Sequence, residues 1–433
     1  MRLTFVALAL TLYGGVAAAQ QRDTVPKRDS VAKARADSAA AADSAFFAQQ
    51  LERGGARSDS GAANPAPAAR GAAGPTNPRL LPDLSAVGDL IGDLSPDGST
   101  QEDGNRFGVR EVELAVQAAV DPYFRGDLFL GLSDVEGIAI EQAYLTSTSL
   151  PWGLEVRLGR FLMPTGKQNT THRHDLHTIE YPYVLQRFLG EEGLKGTGVW
   201  ASKIFAPFGF YQELQLTAVD RFGEAPEGLS ASEAPNKRLS GLGYSARLRN
   251  YFDISQSANV EISASAVTGM REQPLDVPLP GDGTNAVNAR QTVLGADLTY
   301  RWRPLQRGLY KSLIVQGELL HQFNEQMPAL IQGGGGEAAY AGPTRGFSGA
   351  YAFGRYQLRQ RLFLGGRYDW LQDPEAAGST FRAASTYLEF FPSEFSKLVA
   401  GYEHDFAPDG SPDTDRILLQ AAFALGPHKP HPF

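Results

Sequence analysis

The sequence predicts an all-β chain: a transmembrane antiparallel β-barrel of about 16 strands, behind an N-terminal tail that is disordered or partly helical. Three observations carry this expectation. From residue 84 onward, apolar residues recur with a period of two rather than 3.6. The alternating segments are about ten residues long, the length that crosses a bilayer at the tilt of a barrel strand. The connections between them alternate between short and long, which a soluble sandwich has no reason to do.

The elements follow in order. Arg2 precedes the apolar stretch Leu3 to Leu12, and Ala17-Ala18-Ala19 closes it before Gln20. This is the charged, apolar and small-residue pattern of a secretory signal peptide over 1–19, too short to span a bilayer. Residues 20–83 are rich in Ala, Ser, Asp, Arg and Pro, with Phe46 and Phe47 as their only aromatics. Asp29 to Arg53 has a helical composition, but its apolar positions are mostly Ala, and 54–78 is linker material. We expect a flexible periplasmic tail; a short coiled coil or a lumen plug is the alternative. Residues 84–433 hold 40 of the 44 aromatics and carry 30 basic against 41 acidic groups, so the compositional shift near residue 80 marks the start of the barrel, 84–433.

Within 107–120, Val112, Leu114, Val116, Ala118 and Val120 share one face, and Glu111, Glu113, Ala115 and Gln117 the other. Leu294, Ala296, Leu298, Tyr300 and Trp302 oppose Asp297, Thr299, Arg301 and Arg303. Leu313, Val315, Gly317 and Leu319 oppose Gln316 and Glu318. Leu362, Leu364, Gly366, Tyr368 and Trp370 oppose Arg367 and Asp369. Glu111, Glu113, Asp297, Arg301, Glu318, Arg367 and Asp369 are therefore the expected lumen-facing groups. Aromatic residues at the ends of apolar faces, such as Tyr300/Trp302 and Tyr368/Trp370, suit an interfacial girdle. Sixteen segments read this way: 84–94, 107–120, 123–133, 138–148, 154–162, 197–205, 209–220, 239–250, 258–268, 291–302, 312–324, 346–357, 362–371, 381–390, 397–406 and 415–425. A count of 14 or 18 also fits the pattern. The long connections (163–196, 221–238, 269–290, 325–345) all follow odd-numbered strands, as outer loops do, and the short ones follow even-numbered strands.

These features resemble those of the porin-like outer-membrane proteins, of general and phosphate-selective type. The resemblance covers about 84–433. It rests on strand count, loop rhythm, the segments Phe188-Leu-Gly-Glu-Glu-Gly-Leu-Lys-Gly-Thr-Gly198 and Pro392-Ser-Glu-Phe-Ser396, and the C-terminal Phe433. Phe433 departs from the usual assembly signal, because it follows Pro427 to Pro432 rather than ending a strand. The resemblance implies a Gram-negative outer membrane, a passive diffusion channel for small hydrophilic solutes or ions, and an inward-folded third loop, 163–196, that narrows it. It also implies contact with outer-membrane lipid, lipopolysaccharide and the barrel-assembly machinery, and a homotrimer. Some relatives are labelled zinc-regulated receptors, so a metal-binding, receptor-like barrel is the alternative function. Sixty tail residues are too few for the globular plug of an energy-coupled receptor.

Loop 163–196 supplies the expected constriction groups: Lys167, Arg173, Asp175, Glu180, Arg187, Glu191 and Glu192. Lys195 brings its charges to balance, and the barrel's net charge of −11 disfavours an anion ladder, so we expect a mixed pore or weak cation preference. His172, His174 and His177 fall within six residues, with Asp175 between them, and imidazole with carboxylate suits zinc or a similar ion. The competing reading is a polar loop, and the spacing alone does not show convergence. No cofactor is otherwise expected, and nothing points to nucleic acid. No G-x-S-x-G, H-E-x-x-H or Walker loop occurs, so no enzyme is expected. The Gly333–Gly336 run reads as a flexible loop, and neither Ser147 nor His321 shows a partner. With no cysteine, neither disulfides nor thiolate ligands exist.

Overall fold

The computed structural model describes residues 82–426, apart from 102–103, 134–136, 221, 223–238, 275–285, 326–328, 334–335, 341–344, 374–378 and 408–411. The expected signal peptide, nearly all of the tail, His428, His431 and Phe433 lie outside these residues. The strands begin with β1 (Asp83–Asp93), β2 (Phe107–Ala119), β3 (Phe124–Ser133), β4 (Gly137–Ser147), β5 (Leu154–Leu162) and β6 (Lys195–Phe205). They continue with β7 (Tyr211–Val219), β8 (Gly243–Ser255), β9 (Ala258–Pro274), β10 (Ala286–Trp302), β11 (Leu313–Glu325), β12 (Ala329–Gly333) and β13 (Gly336–Tyr340). The last are β14 (Arg345–Arg359), β15 (Leu362–Gln372), β16 (Thr380–Ser393), β17 (Ser396–Phe406) and β18 (Thr414–Leu425). One helix, α1 (Tyr183–Leu189), lies between β5 and β6.

All strands except β12 and β13 form one closed antiparallel barrel of sixteen, sealed where β1 pairs with β18. Each of the sixteen predicted segments corresponds to one barrel strand. Closure leaves no sheet edge, which is what a strand in lipid requires. The period-two pattern becomes two faces. Where β10 meets β11, Asp297 pairs with Glu318 and both are 3 % exposed, while the adjacent Leu298 and Leu319 are 45 % and 54 % exposed. Apolar side chains thus cover the outside, and the charged groups lie within. No described helix is long and apolar enough to cross a membrane; the crossing is made by strands.

Three differences from the sequence expectation matter. β9 and β10 run on to a ladder of 17 residues each, through part of what the pattern assigned to a loop. The Gly333–Gly336 run is not a plain loop: Gly333 and Gly336 close the separate β12–β13 hairpin. Third, the register slips at two places near the start of the barrel. Between Asp89 and Leu90 of β1, Arg110 of β2 is the extra residue; between Phe129 and Leu130 of β3, Glu141 of β4 is. Such bulges turn two consecutive side chains toward one face.

The inside is not uniformly polar. Helix α1 buries Val184, Leu185, Phe188 and Leu189 against Val293 of β10, Leu320 of β11, Tyr351 and Phe353 of β14 and Leu371 of β15. A smaller cluster joins Ile179 to Ile91, Tyr387, Val399 and Leu418. Close approach needs small wall residues: a Cβ at Gly349 would lie 2.5 Å from Val184 Cγ2, and one at Gly401 would lie 2.8 Å from Ile179 Cδ1. Gly349→Leu is therefore expected to force α1 off β14 at a cost of about 1–3 kcal/mol. A fall in thermal stability with an intact barrel, read by the gel migration of unheated protein, checks this.

Candidate functional site

Segment 163–194 connects β5 to β6, and Asn169 ties its two ends together. The Asn169 amide donates to Met163 O at 2.7 Å and Leu194 O at 3.1 Å, and its oxygen accepts from Leu194 N at 2.6 Å. From this base the segment engages inner-face groups of many strands. Lys167 Nζ bonds Glu261 of β9 at 2.9 Å, and the backbone N–H groups of Lys167 and Gln168 donate to Glu318 Oε1 at 2.9 and 2.7 Å. Gly166, with φ +64°, leaves room for the other Glu318 oxygen, which an added Cβ would meet at 2.3 Å. Burial pulls the Lys167 ammonium down to about 8 despite the attraction of Glu261.

Farther along, Lys397 of β17 donates to His174 O at 2.6 Å and Leu176 O at 3.0 Å. Arg110 bridges Asp89 of β1, at 2.5 Å, and Glu180, at 3.1 Å. Arg367 is wholly buried; it donates to Asp369 Oδ2 at 2.5 Å and Glu180 O at 2.7 Å. Asp369 also accepts the Tyr183 N–H at the start of α1, and the Tyr183 hydroxyl donates to Glu403 at 2.6 Å. Breaking such a buried pair on one side strands the other charge, which costs about 3–5 kcal/mol. Arg367→Met is accordingly expected to destabilise the protein more than any exposed-charge substitution. The comparison with Arg187→Met, whose side chain is 41 % exposed, checks it in thermal unfolding.

A cavity of about 440 Å³ remains between the segment and β1–β4, with Arg416 of β18 at its border. Of the seven predicted constriction residues, Arg173, Glu180, Glu191 and Glu192 line it; Lys167, Asp175 and Arg187 do not. Lys167 is consumed by the wall contact, Asp175 is close to His174, and Arg187 faces Asp373 at 3.8 Å. Among the predicted lumen-facing residues, Glu111 lines the cavity and Glu113 pairs with His172. Asp297 binds Arg247 at 3.1 Å, and Arg301 lies 3.7 Å from Glu261. Sequence reasoning missed Arg110 and Glu141, the two bulge residues, and both line the cavity. In total its border carries five carboxylates and three guanidinium groups. Among the described residues, neither Glu111 nor Glu191 has a cation within 4 Å, whereas Lys195 binds both Glu141 and Glu192. Burial acts against the Glu192 carboxylate, but Lys195 outweighs it and holds the group below the usual range.

The histidines separate. A single 3-10 turn over Arg173–Asp175 brings the His172 and His174 rings within 5.6 Å, and Glu113 joins them: the ligand atoms of all three lie within 4.8 Å of one another. Extended backbone at Leu176 (φ −60°, ψ 143°) then carries His177 away to the Phe353 ring. His177 therefore stands outside the expected set, and Glu113 takes its place. Burial would push the His172 imidazole down, yet the Glu113 carboxylate at 2.6 Å raises it to about 9. His177, buried beside Arg355 and Lys397 with no such partner, is held well below the ordinary histidine value. On the outer face, His321 Nδ1 lies 2.8 Å from Ser348 Oγ, and among the described residues no carboxylate pairs with that ring. A hydrolytic triad needs such an orienting group.

No family model matches the chain. It is 28 % identical over 345 residues to an uncharacterized protein of Aquifex aeolicus (strain VF5), spanning 76 % of this chain and 70 % of that one. Among solved structures, the barrel is similar to OmpT of Vibrio cholerae in its loop L8 deletion mutant (TM-score 0.53, 10 % identity, 79 % of this chain and 99 % of that one). The in-vitro folded trimer form of OmpT gives 0.51 at 10 % identity, with the same coverage. The outer membrane channel DcaP of Acinetobacter baumannii gives 0.50 at 11 % identity, covering 79 % and 96 %. The fold is that of the outer-membrane porins. A closed barrel with an apolar outside spans a membrane, and the bacterial outer membrane is where such barrels reside.

Proposed function

We propose that the protein is a porin-like channel through which small hydrophilic solutes or ions diffuse passively across the outer membrane. One observation carries this: a closed sixteen-strand barrel, apolar outside and charged inside, that keeps a polar cavity of about 440 Å³ beside β1–β4. Barrels of this size enclose an aqueous lumen. In this reading segment 163–196 is the constriction. Its α1 half fills the side of the lumen along β10–β15, and the path runs off-centre through the cavity. The excess of carboxylates at the cavity border favours cations weakly. The protein's work is then pore size and field, with no bond made or broken and no cofactor required for passage.

The same reading takes 1–19 as the export signal, 20–83 as a periplasmic tail and 84–433 as the barrel. Its partners are lipid, lipopolysaccharide and the assembly machinery. A homotrimer is the assembly we favour, by likeness to the trimer form of OmpT. Purified protein in planar bilayers should give discrete conductance steps and, in a salt gradient, a reversal potential of cation-selective sign. Saturable ligand binding with no steps would replace the channel with a receptor-like barrel.

A further inference from the structure

We propose that Glu113, His172 and His174 form a binding site for one divalent transition-metal ion of the zinc class, clamping segment 163–194 to the barrel wall. Zinc accepts two imidazoles and a carboxylate and completes its shell with water. The three groups come from two elements: Glu113 from β2, the histidines from the 3-10 turn of the segment.

Several independent features suit a metal better than a simple ion pair. The His174 side chain is 3 % exposed, and Lys397 grips the backbone oxygen of the same residue, so the turn that carries the ring is held from the far wall. The His172 ring is fixed on its other edge, with Nε2 2.9 Å from the Gln142 amide nitrogen. Metal binding through Nδ1 needs a proton on Nε2, so Gln142 would turn its amide over to accept from it and give up the Leu162 N–H that its oxygen now accepts at 3.3 Å. A void of about 20 Å³ lies beside Glu113 and His172, large enough for one small ion or water. Its lining shares Glu111, Glu141, Arg173 and Glu192 with the main cavity, so the two spaces adjoin. The ligand atoms of a tetrahedral ion stand roughly 3.3 Å apart. Binding would therefore displace the proton shared by Glu113 and His172 and open their contact by less than about 1 Å.

The test uses folded, tag-free, full-length protein in detergent micelles, stripped with a chelator. Titration with Zn²⁺ by calorimetry should show one saturable site per chain and a rise in thermal stability. His174→Gln and Glu113→Gln should each weaken binding at least tenfold, and His404→Gln should leave it unchanged. Co²⁺ offers a readout that needs no variant: its visible absorption should report a low-symmetry nitrogen and oxygen shell rather than that of the aqueous ion. Absence of saturable binding, an aqueous Co²⁺ spectrum, or full affinity in His174→Gln would each overturn the site. None of these measurements involves conductance, so their failure would leave the channel reading standing.

Discussion

Removing residues 170–192 and joining Asn169 to Gly193 through a short Gly-Ser linker is expected to raise the unitary conductance several-fold. The ends are already neighbours: Asn169 Oδ1 lies 2.8 Å from where a Cβ on Gly193 would stand, and Leu194 N donates to it. The barrel itself should survive, because β5 and β6 pair from Leu162–Lys195 onward without help from the segment. What disappears is the plug of Val184, Leu185, Phe188 and Leu189 together with Arg173, Glu180, Glu191 and Glu192 at the cavity border. The deletion also bares Val293, Leu320, Tyr351, Phe353 and Leu371 to the lumen. Lower thermal stability should therefore accompany the larger pore. Gly349→Leu, which lifts α1 without removing it, should give a smaller change of the same kind. Unchanged conductance in a folded deletion variant would sink the constriction assignment, since a sixteen-strand barrel without an obstruction is wide enough for water.

The physical reason the barrel could be read from the chain is that its main rule is local. Side chains two residues apart share a face, so Leu298 and Asp297 declare their sides without knowledge of any partner. The site obeys longer-range rules. Lys167 meets Glu261 across 94 residues of sequence, and His172 meets Glu113 across 59. Nothing in the spacing of the histidines points to β2. The bulges defeat the local rule itself: strict alternation puts Arg110 with Val112 on the lipid side, and only the slipped register turns it inward beside Glu111. The apolar inner patch was hidden for a related reason. Val293 and Leu320 sit among inward polar residues, and only α1, whose position depends on those same residues, explains why they are apolar.

Glu111→Gln with Glu191→Gln is expected to move the reversal potential in a potassium chloride gradient toward zero, and Arg173→Gln to move it the other way. These positions are chosen by their partners. Removing Glu141 or Glu192 would strand part of the charge of Lys195, and removing Glu180 would disturb Arg110, so selectivity and folding would change together. Glu111 and Glu191 hold no such cation among the described residues, and Arg173, which feels the Glu180, Glu192 and Glu111 carboxylates, has none of them within 4 Å and lies 5.9 Å from the Tyr181 ring. Neutralising them therefore alters the field of the cavity with little structural cost. The border holds five carboxylates against three guanidinium groups, so removing two glutamates leaves it balanced and the cation preference should fall with the pair. Ionic strength supplies the internal check. The screening length is about 10 Å at 0.1 M salt and about 3 Å at 1 M, so an electrostatic effect across the cavity must shrink as salt rises. A shift that persists at 1 M would mean a steric change, and no shift at 0.1 M would place the conducting path elsewhere in the barrel.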